Sequence, residues 1–164
     1  MRVLFLDFDG VLNSLAWIHS TQGKRRADES DIEFEARDIS PKAVRRLNKI
    51  IVRTGAKVVV SSSWRKLHAL EDLQAILKLR GFVGEIIDVT PSLWRSLEGK
   101  RLYRGDEIQA WLDAHPEVSR FAITDDESDM CHLKHRLVKT SMDKGIQDHH
   151  VERLCALLEE AHDG

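Results

Sequence analysis

Little in this chain supports a disulfide-stapled or membrane-embedded protein. Its 164 residues contain only two cysteines, Cys131 and Cys155, far apart and outside any CxxC pattern, so reduced thiols in the cytoplasm are the expectation. No stretch approaches the roughly 20 apolar residues of a spanning helix. The first apolar run, Val3–Leu6, stops at Asp7 and is too short for a signal-peptide core, so no membrane partner is expected. Internal repeats and low-complexity tracts are also missing. The charge is nearly balanced, 25 Lys and Arg against 27 Asp and Glu, which excludes the strongly basic profile of a dedicated duplex-binding protein but not a local basic patch. Hydrophobic residues at 42% and charged residues at 32% argue against disorder and for one domain with a substantial core, a monomer by default.

What is present is an alternation of short apolar runs with helical periodicity. Val3–Leu6, Val58–Val60, Ile86–Val89, Phe121–Ile123 and a weaker Leu137-Val138 read as strands buried on both faces. Ser40-Pro41 opens a helix carrying Ala43, Val44, Leu47, Ile50 and Ile51, closed by Thr54-Gly55. Leu67, Leu70, Leu73 and Leu77 mark a second helix, stopped by Gly81. Asp106 is a candidate cap for a helix with Ile108, Trp111 and Leu112, and Asp148 for a last one with Val151, Leu154, Cys155 and Leu158. Such alternation predicts parallel pairing in a doubly wound three-layer α/β/α sandwich around a mainly parallel five-stranded sheet.

In such sheets ligands bind beyond the carboxyl ends of the strands. Asp7-Phe8-Asp9-Gly10 follows the first strand, Ser61-Ser62-Ser63-Trp64-Arg65 the second, and Thr124-Asp125-Asp126 the fourth. Acidic groups gathered at one edge repel unless a cation neutralises them, and an all-oxygen site with open positions suits Mg2+. Asp7 and Asp9, two apart on extended chain, address one substrate atom from the same side, while Phe8 turns away to pack. Gly10 permits a sharp turn. One such carboxylate can be a nucleophile and the other a proton carrier.

The run "DFDGV", with "SSSWR", "RGDEIQAWL" and "ITDDESD", resembles the haloacid dehalogenase (HAD) superfamily across essentially the whole chain. It also looks similar to capless HAD domains grouped with nucleic-acid-repair proteins. The resemblance implies a phosphatase in which Asp7 attacks phosphorus and binds Mg2+. Asp9 would protonate the leaving group, then activate water, its backbone carbonyl facing the metal. Asp126 would be a further ligand, with Asp125 as ligand or support. A hydroxyl of Ser61 or Ser62 would hold a phosphoryl oxygen, Ser62 being favoured because Ser61 still belongs to the strand. The cation that neutralises Asp7 and phosphate would be Arg104, with Lys100 and Arg101 as rivals.

Residues 14–40 form the one early insert, too short for a separate cap domain and therefore a small flap. Ile32, Phe34 and Ala36 alternate with polar neighbours, predicting a hairpin strand with its turn at Thr21–Lys24. An open cleft admits a bulky phosphorylated substrate such as a nucleotide or a nucleic-acid phosphate end. The basic runs Lys24–Arg26 and Arg95, Lys100, Arg101, Arg104 fit that partner, although solvated loops account for them equally. A small-metabolite phosphatase and a non-catalytic phosphate-binding or nucleic-acid-binding module on the same fold are the alternatives. C-halogen hydrolysis would leave Asp9 without a role. Cys131, His132 and His135 lack the paired spacing of a zinc site, and Trp64 reads as an aromatic at a helix start or a surface for base stacking.

Overall fold

A computed structural model of the chain describes residues 1–21 and 23–160. The apolar runs form five strands: β1 (Arg2–Leu6), β2 (Lys57–Val60), β3 (Ile86–Val89), β4 (Arg120–Asp125) and β5 (Leu137–Lys139). All pair in parallel, in the order β3-β2-β1-β4-β5. Side chains alternate between the two faces, and each face has its own core. Leu4, Leu6, Val58 and Val60 join Leu47 and Ile50 of α3 (Pro41–Thr54), Ile76 of α4 (Leu70–Leu79) and Leu154 of α6 (Asp148–Glu159). Val3, Phe5 and Val59 join Ile108 and Trp111 of α5 (Arg104–Asp113) and Leu133 of a 3-10 segment, Cys131–Arg136. The doubly wound sandwich expected from the sequence is therefore the one observed. Its strand order reverses between β1 and β4, which opens a crevice beyond their carboxyl ends.

Local chemistry sets the element ends, with some shifts from expectation. Ser40 caps α3 by accepting from the Ala43 N–H, Pro41 follows, and Gly55 ends the helix at φ 66°. At α5 the cap is Tyr103; Asp106 lies inside the first turn and reaches back to the Tyr103 N–H at 2.8 Å, which makes Arg104 the first helical residue. Gln147, not Asp148, caps α6, and the Asp148 carboxylate pairs with Arg46 at 3.1 Å instead. Leu67 is 82% exposed because it closes a 3-10 turn, Ser63–Lys66, before α4 begins at Leu70.

The insert departs most from expectation. Ile32, Phe34 and Ala36 lie in a helix, α2 (Asp31–Ala36), preceded by α1 (Leu15–Thr21). The reason is a capping box: the Ser30 hydroxyl accepts from the Glu33 N–H, and the Glu33 carboxylate accepts from the Ser30 N–H at 2.8 Å. That pair of bonds outweighs a short alternation. Glu29, buried within the flap, takes the Arg37 guanidinium at 2.6 Å, and Arg25 pairs with Asp31 at 2.5 Å. Part of the Lys24–Arg26 run is thus spent bracing the flap. Of the turn expected at Thr21–Lys24, Gln22 lies outside the described residues. Among the described residues no helix is long and apolar enough to cross a membrane.

Candidate active site

The sheet edge at the β1/β4 crevice gathers the acidic motifs as the strand-end rule requires. Asp7 extends β1, its N–H donating to the Thr124 carbonyl at 3.0 Å, and Asp125 is the last residue of β4. Asp7 and Asp125 are 5% and 1% exposed. One carboxylate oxygen from each of Asp7, Asp125 and Asp126 falls within 4.8 Å of the others, the one such group among the described residues. The turn beyond Asp7 is tight: Gly10 has φ 71°, and a Cβ there would lie 2.5 Å from Cγ of Asp126. Glycine is therefore needed for the backbone conformation and for the approach of the two acidic turns. Thr140 ties both together, its hydroxyl donating to the Gly10 carbonyl at 2.6 Å and its N–H to the Asp125 carbonyl at 3.0 Å.

Burial is the dominant electrostatic fact. It pushes the Asp7 carboxyl up to about 6, although Arg104, the Ser62 side chain and the Phe8 N–H all favour its charged form. It pushes Asp125 up to about 8, with repulsion from Asp7 adding to the rise and Arg104 opposing it. Among the described residues, Asp125 Oδ2 has no hydrogen-bond partner; the nearest cation, Arg104 Nη1, is 3.6 Å away. An orphaned buried carboxylate oxygen beside two further acids fits a hard divalent cation, for which oxygen ligands are the preferred donors.

Arg104 is the cation that reaches this centre. Its Nη1 lies 3.7 Å from Asp7 Oδ1 and donates to the Ser61 carbonyl. Lys100 and Arg101 do not share that position. They belong to a short antiparallel ribbon whose bridge pairs Arg95 with Arg101, the turn closing through Ser96 N–H to Lys100 carbonyl at 2.9 Å. The two serines also separate. The Ser61 N–H donates to the Leu6 carbonyl at 2.9 Å, so this residue continues the ladder as expected, and its buried hydroxyl has no partner among the described residues. Ser62 is the one whose side chain favours the charged form of Asp7, and its hydroxyl accepts from the Trp64 N–H at 3.4 Å.

Asp9 is held differently from Asp7. Its Oδ1 accepts from Trp64 Nε1 at 2.9 Å and from Asn13 Nδ2 at 2.7 Å, while Asn13 Oδ1 accepts from the Gly10 N–H at 3.0 Å. Trp64 is buried, its ring packed on Phe8 with centroids 5.2 Å apart, so it is not a free stacking surface. It is a site residue whose role the sequence reading missed. The signal was its place just after the serines; the partner, 55 residues upstream, was not visible. Beside it, Arg65 is buried against Glu107 of α5 at 2.6 Å and donates to the carbonyls of Ser62 at 2.6 Å and Thr90 at 3.0 Å.

The residues outside this centre have structural partners. His132 Nε2 is 2.7 Å from Gln109 Oε1, and His135 Nδ1 is 3.0 Å from the His132 carbonyl. Neither joins Cys131 in a group able to hold a metal.

Among curated proteins no match to the chain is found. Comparison with protein families matches residues 3–151 to one described as the HAD domain in Swiss Army Knife RNA repair proteins. That span runs from β1 into the first turn of α6 and takes in every acidic and serine turn described above. The chain belongs to this HAD family.

Proposed function

We propose that the protein is a Mg2+-dependent phosphomonoesterase that works through an aspartyl-phosphate and acts on nucleic-acid phosphate ends. The observation that carries this reading is the convergence of three carboxylates within 4.8 Å, with Arg104 3.7 Å from the buried Asp7. Asp7, Asp125 and Asp126, with the Asp9 backbone carbonyl, would hold the ion. When bound, Mg2+ would offset the repulsion among these acids and part of the phosphate charge.

The chain's own groups divide the rest. A carboxylate oxygen of Asp7 attacks phosphorus, and the bond from phosphorus to the ester oxygen breaks. Asp9 gives its proton to the departing alkoxide. Two neutral donors converge on Asp9 Oδ1, so Oδ2 carries the proton. The Asp9 carboxylate then takes a proton from water, whose oxygen attacks the phosphorus of the aspartyl-phosphate. The bond between phosphorus and the Asp7 oxygen breaks, which releases inorganic phosphate and restores Asp7. Arg104 and the Ser62 hydroxyl, with Ser61 beside it, hold the phosphoryl oxygens, because phosphoryl transfer depends mostly on alignment and charge neutralisation.

The substrate class rests on two supports: the RNA-repair description of the family, and a flap too small to enclose a cleft. The test is phosphate release from 3′- and 5′-phosphorylated oligonucleotides and from small sugar phosphates, with Mg2+, by wild type and Asp7→Asn. Release from oligonucleotides by wild type alone is expected. Preference for sugar phosphates would make it a small-metabolite enzyme, and equal, negligible release by both proteins would make it a binding module.

A further inference from the structure

The loop between β3 and α5 does something the acidic centre does not require. From Leu93 to Leu102 it doubles back as an antiparallel ribbon, held by the Arg95–Arg101 bridge and the Leu102 N–H to Trp94 carbonyl bond at 3.2 Å. Gly99, at φ 79° with open space around it, makes the turn. Here Trp94 is 79% exposed and Tyr103, at the ribbon's foot, is 42% exposed.

These rings border an open cavity of about 350 Å3 whose wall also carries Lys66, Arg95, Arg101 and Arg104. Arg101 lies over the Tyr103 ring at 5.4 Å, an arrangement that keeps a planar cation and a planar ring on one face. Two acids share the wall, one of them already paired with a cation outside it, so four cations face one free acid. Glu107 is bound to Arg65 at 2.6 Å and to the Leu93 N–H at 2.9 Å, while Asp129 sits against the Arg104 N–H at 3.5 Å. Arg104 belongs to both places: it lines this cavity and lies 3.7 Å from Asp7.

We infer that this cavity is a binding platform for a single-stranded nucleic acid, seating the nucleotides next to the phosphate that enters the acidic centre. Exposed rings offer stacking surfaces to unpaired bases of any sequence, and the cations run alongside to take the backbone phosphates. A duplex keeps its bases stacked on each other and cannot use Trp94 in this way. The inference rests on the proposed phosphatase reading only for the direction of the strand, with its phosphorylated end toward Arg104.

The test is fluorescence anisotropy of a 5′-labelled, 3′-phosphorylated hexanucleotide, in ribo and deoxyribo forms, with the full-length Asp7→Asn protein in Mg2+. Adding Trp94→Ala is expected to weaken binding of both forms at least tenfold. Trp94→Phe should recover most of that loss, and Val52→Ala, on a remote exposed surface, should bind as the parent. Arg101→Ala should lower the slope of log affinity against log salt by about 0.7. Binding unaffected by Trp94→Ala, or a blunt duplex competing as well as the single strand, would overturn the platform. Phosphate release by the otherwise wild-type protein separates this from the proposed function. Trp94-dependent binding without release keeps the platform and removes the phosphatase; release with Trp94-independent binding does the reverse.

Discussion

Stripping divalent ions from the protein should leave Asp7, Asp125 and Asp126 crowded at one sheet edge, and the cost of that crowding depends on pH. Burial raises Asp7 from 3.8 to about 6 and Asp125 from 3.8 to about 8. A carboxyl whose folded value is raised binds more protons folded than unfolded, so its stabilising contribution is complete below pH 3.8 and is lost as pH climbs through the folded value. The Asp7 window is therefore pH 4 to 6 and the Asp125 window pH 4 to 8. At about 1.4 kcal/mol per pH unit the Asp7 rise corresponds to roughly 3 kcal/mol and the Asp125 rise to roughly 6. Part of the second is repulsion from Asp7, so the two do not add, and the combined loss falls short of the roughly 9 kcal/mol that their sum would give.

A bound ion should remove much of this penalty, and a chain of this size shifts about 2–4 °C per kcal/mol. The assay is thermal unfolding with EDTA or saturating Mg2+ at pH 5, 6, 7 and 8. Melting in EDTA should fall as pH rises, and the Mg2+ increment should grow from about 2 °C at pH 5 to about 8 °C at pH 8. Asp125→Asn, neutral and of equal size, should melt above wild type in EDTA at pH 8 and lose most of the Mg2+ increment. An increment that is the same at pH 5 and pH 8 would refute the reasoning, because it would mean the ion binds without relieving these carboxyls.

Three further outcomes follow from the same geometry. Arg104→Ala should lower kcat by 100-fold or more, whereas Lys100→Ala, in the ribbon turn, should stay within about threefold; steady-state kinetics on a phosphorylated oligonucleotide decides. Trp64→Phe keeps the ring on Phe8 but removes the donor to Asp9, so kcat should fall about 5- to 10-fold with an unchanged melting temperature; Asn13→Ala should resemble it, and the double variant should lose more than either. Gly10→Ala places a Cβ 2.5 Å from Asp126 Cγ in left-handed backbone. It should cost about 1–2 kcal/mol in urea unfolding and shrink the Mg2+ increment.

How much of this was legible follows from how locally each feature is encoded. Strands buried on both faces are continuous apolar runs, so the sheet could be read, and with it the edge on which Asp7, Asp125 and Asp126 meet. The flap could not, because six residues of alternation in α2 point to a strand, while the Ser30-x-x-Glu33 capping box that overrides them went unread. The choice of Arg104 over Lys100 and Arg101 depended on where α5 begins. A one-turn shift of its cap would have brought a different cation to Asp7. Trp64 was illegible for a plainer reason: a hydrogen bond spanning 55 residues leaves no local pattern; Asn13, four residues after Asp9, was close enough to be read and was missed.

The Arg65–Glu107 pair shows what such unmarked residues contribute. Arg65 leaves the turn that follows Ser62, and Glu107 stands one helical turn beyond Arg104 on the same side of α5. Their bond therefore fixes the serine loop, proposed to hold phosphate, relative to the helix that carries Arg104. Arg65 also holds the Thr90 carbonyl, and Glu107 the Leu93 N–H, so the foot of the ribbon is set by the same two side chains. A buried pair is a costly way to gain stability, since well-packed apolar residues often serve as well. Its value here lies in position: serine turn, Arg104 and ribbon are separate in sequence, and one ion pair gives them a common frame. On the proposed reading, motif residues supply the reacting groups of this site, and the alignment on which phosphoryl transfer depends is carried by residues that no motif marks.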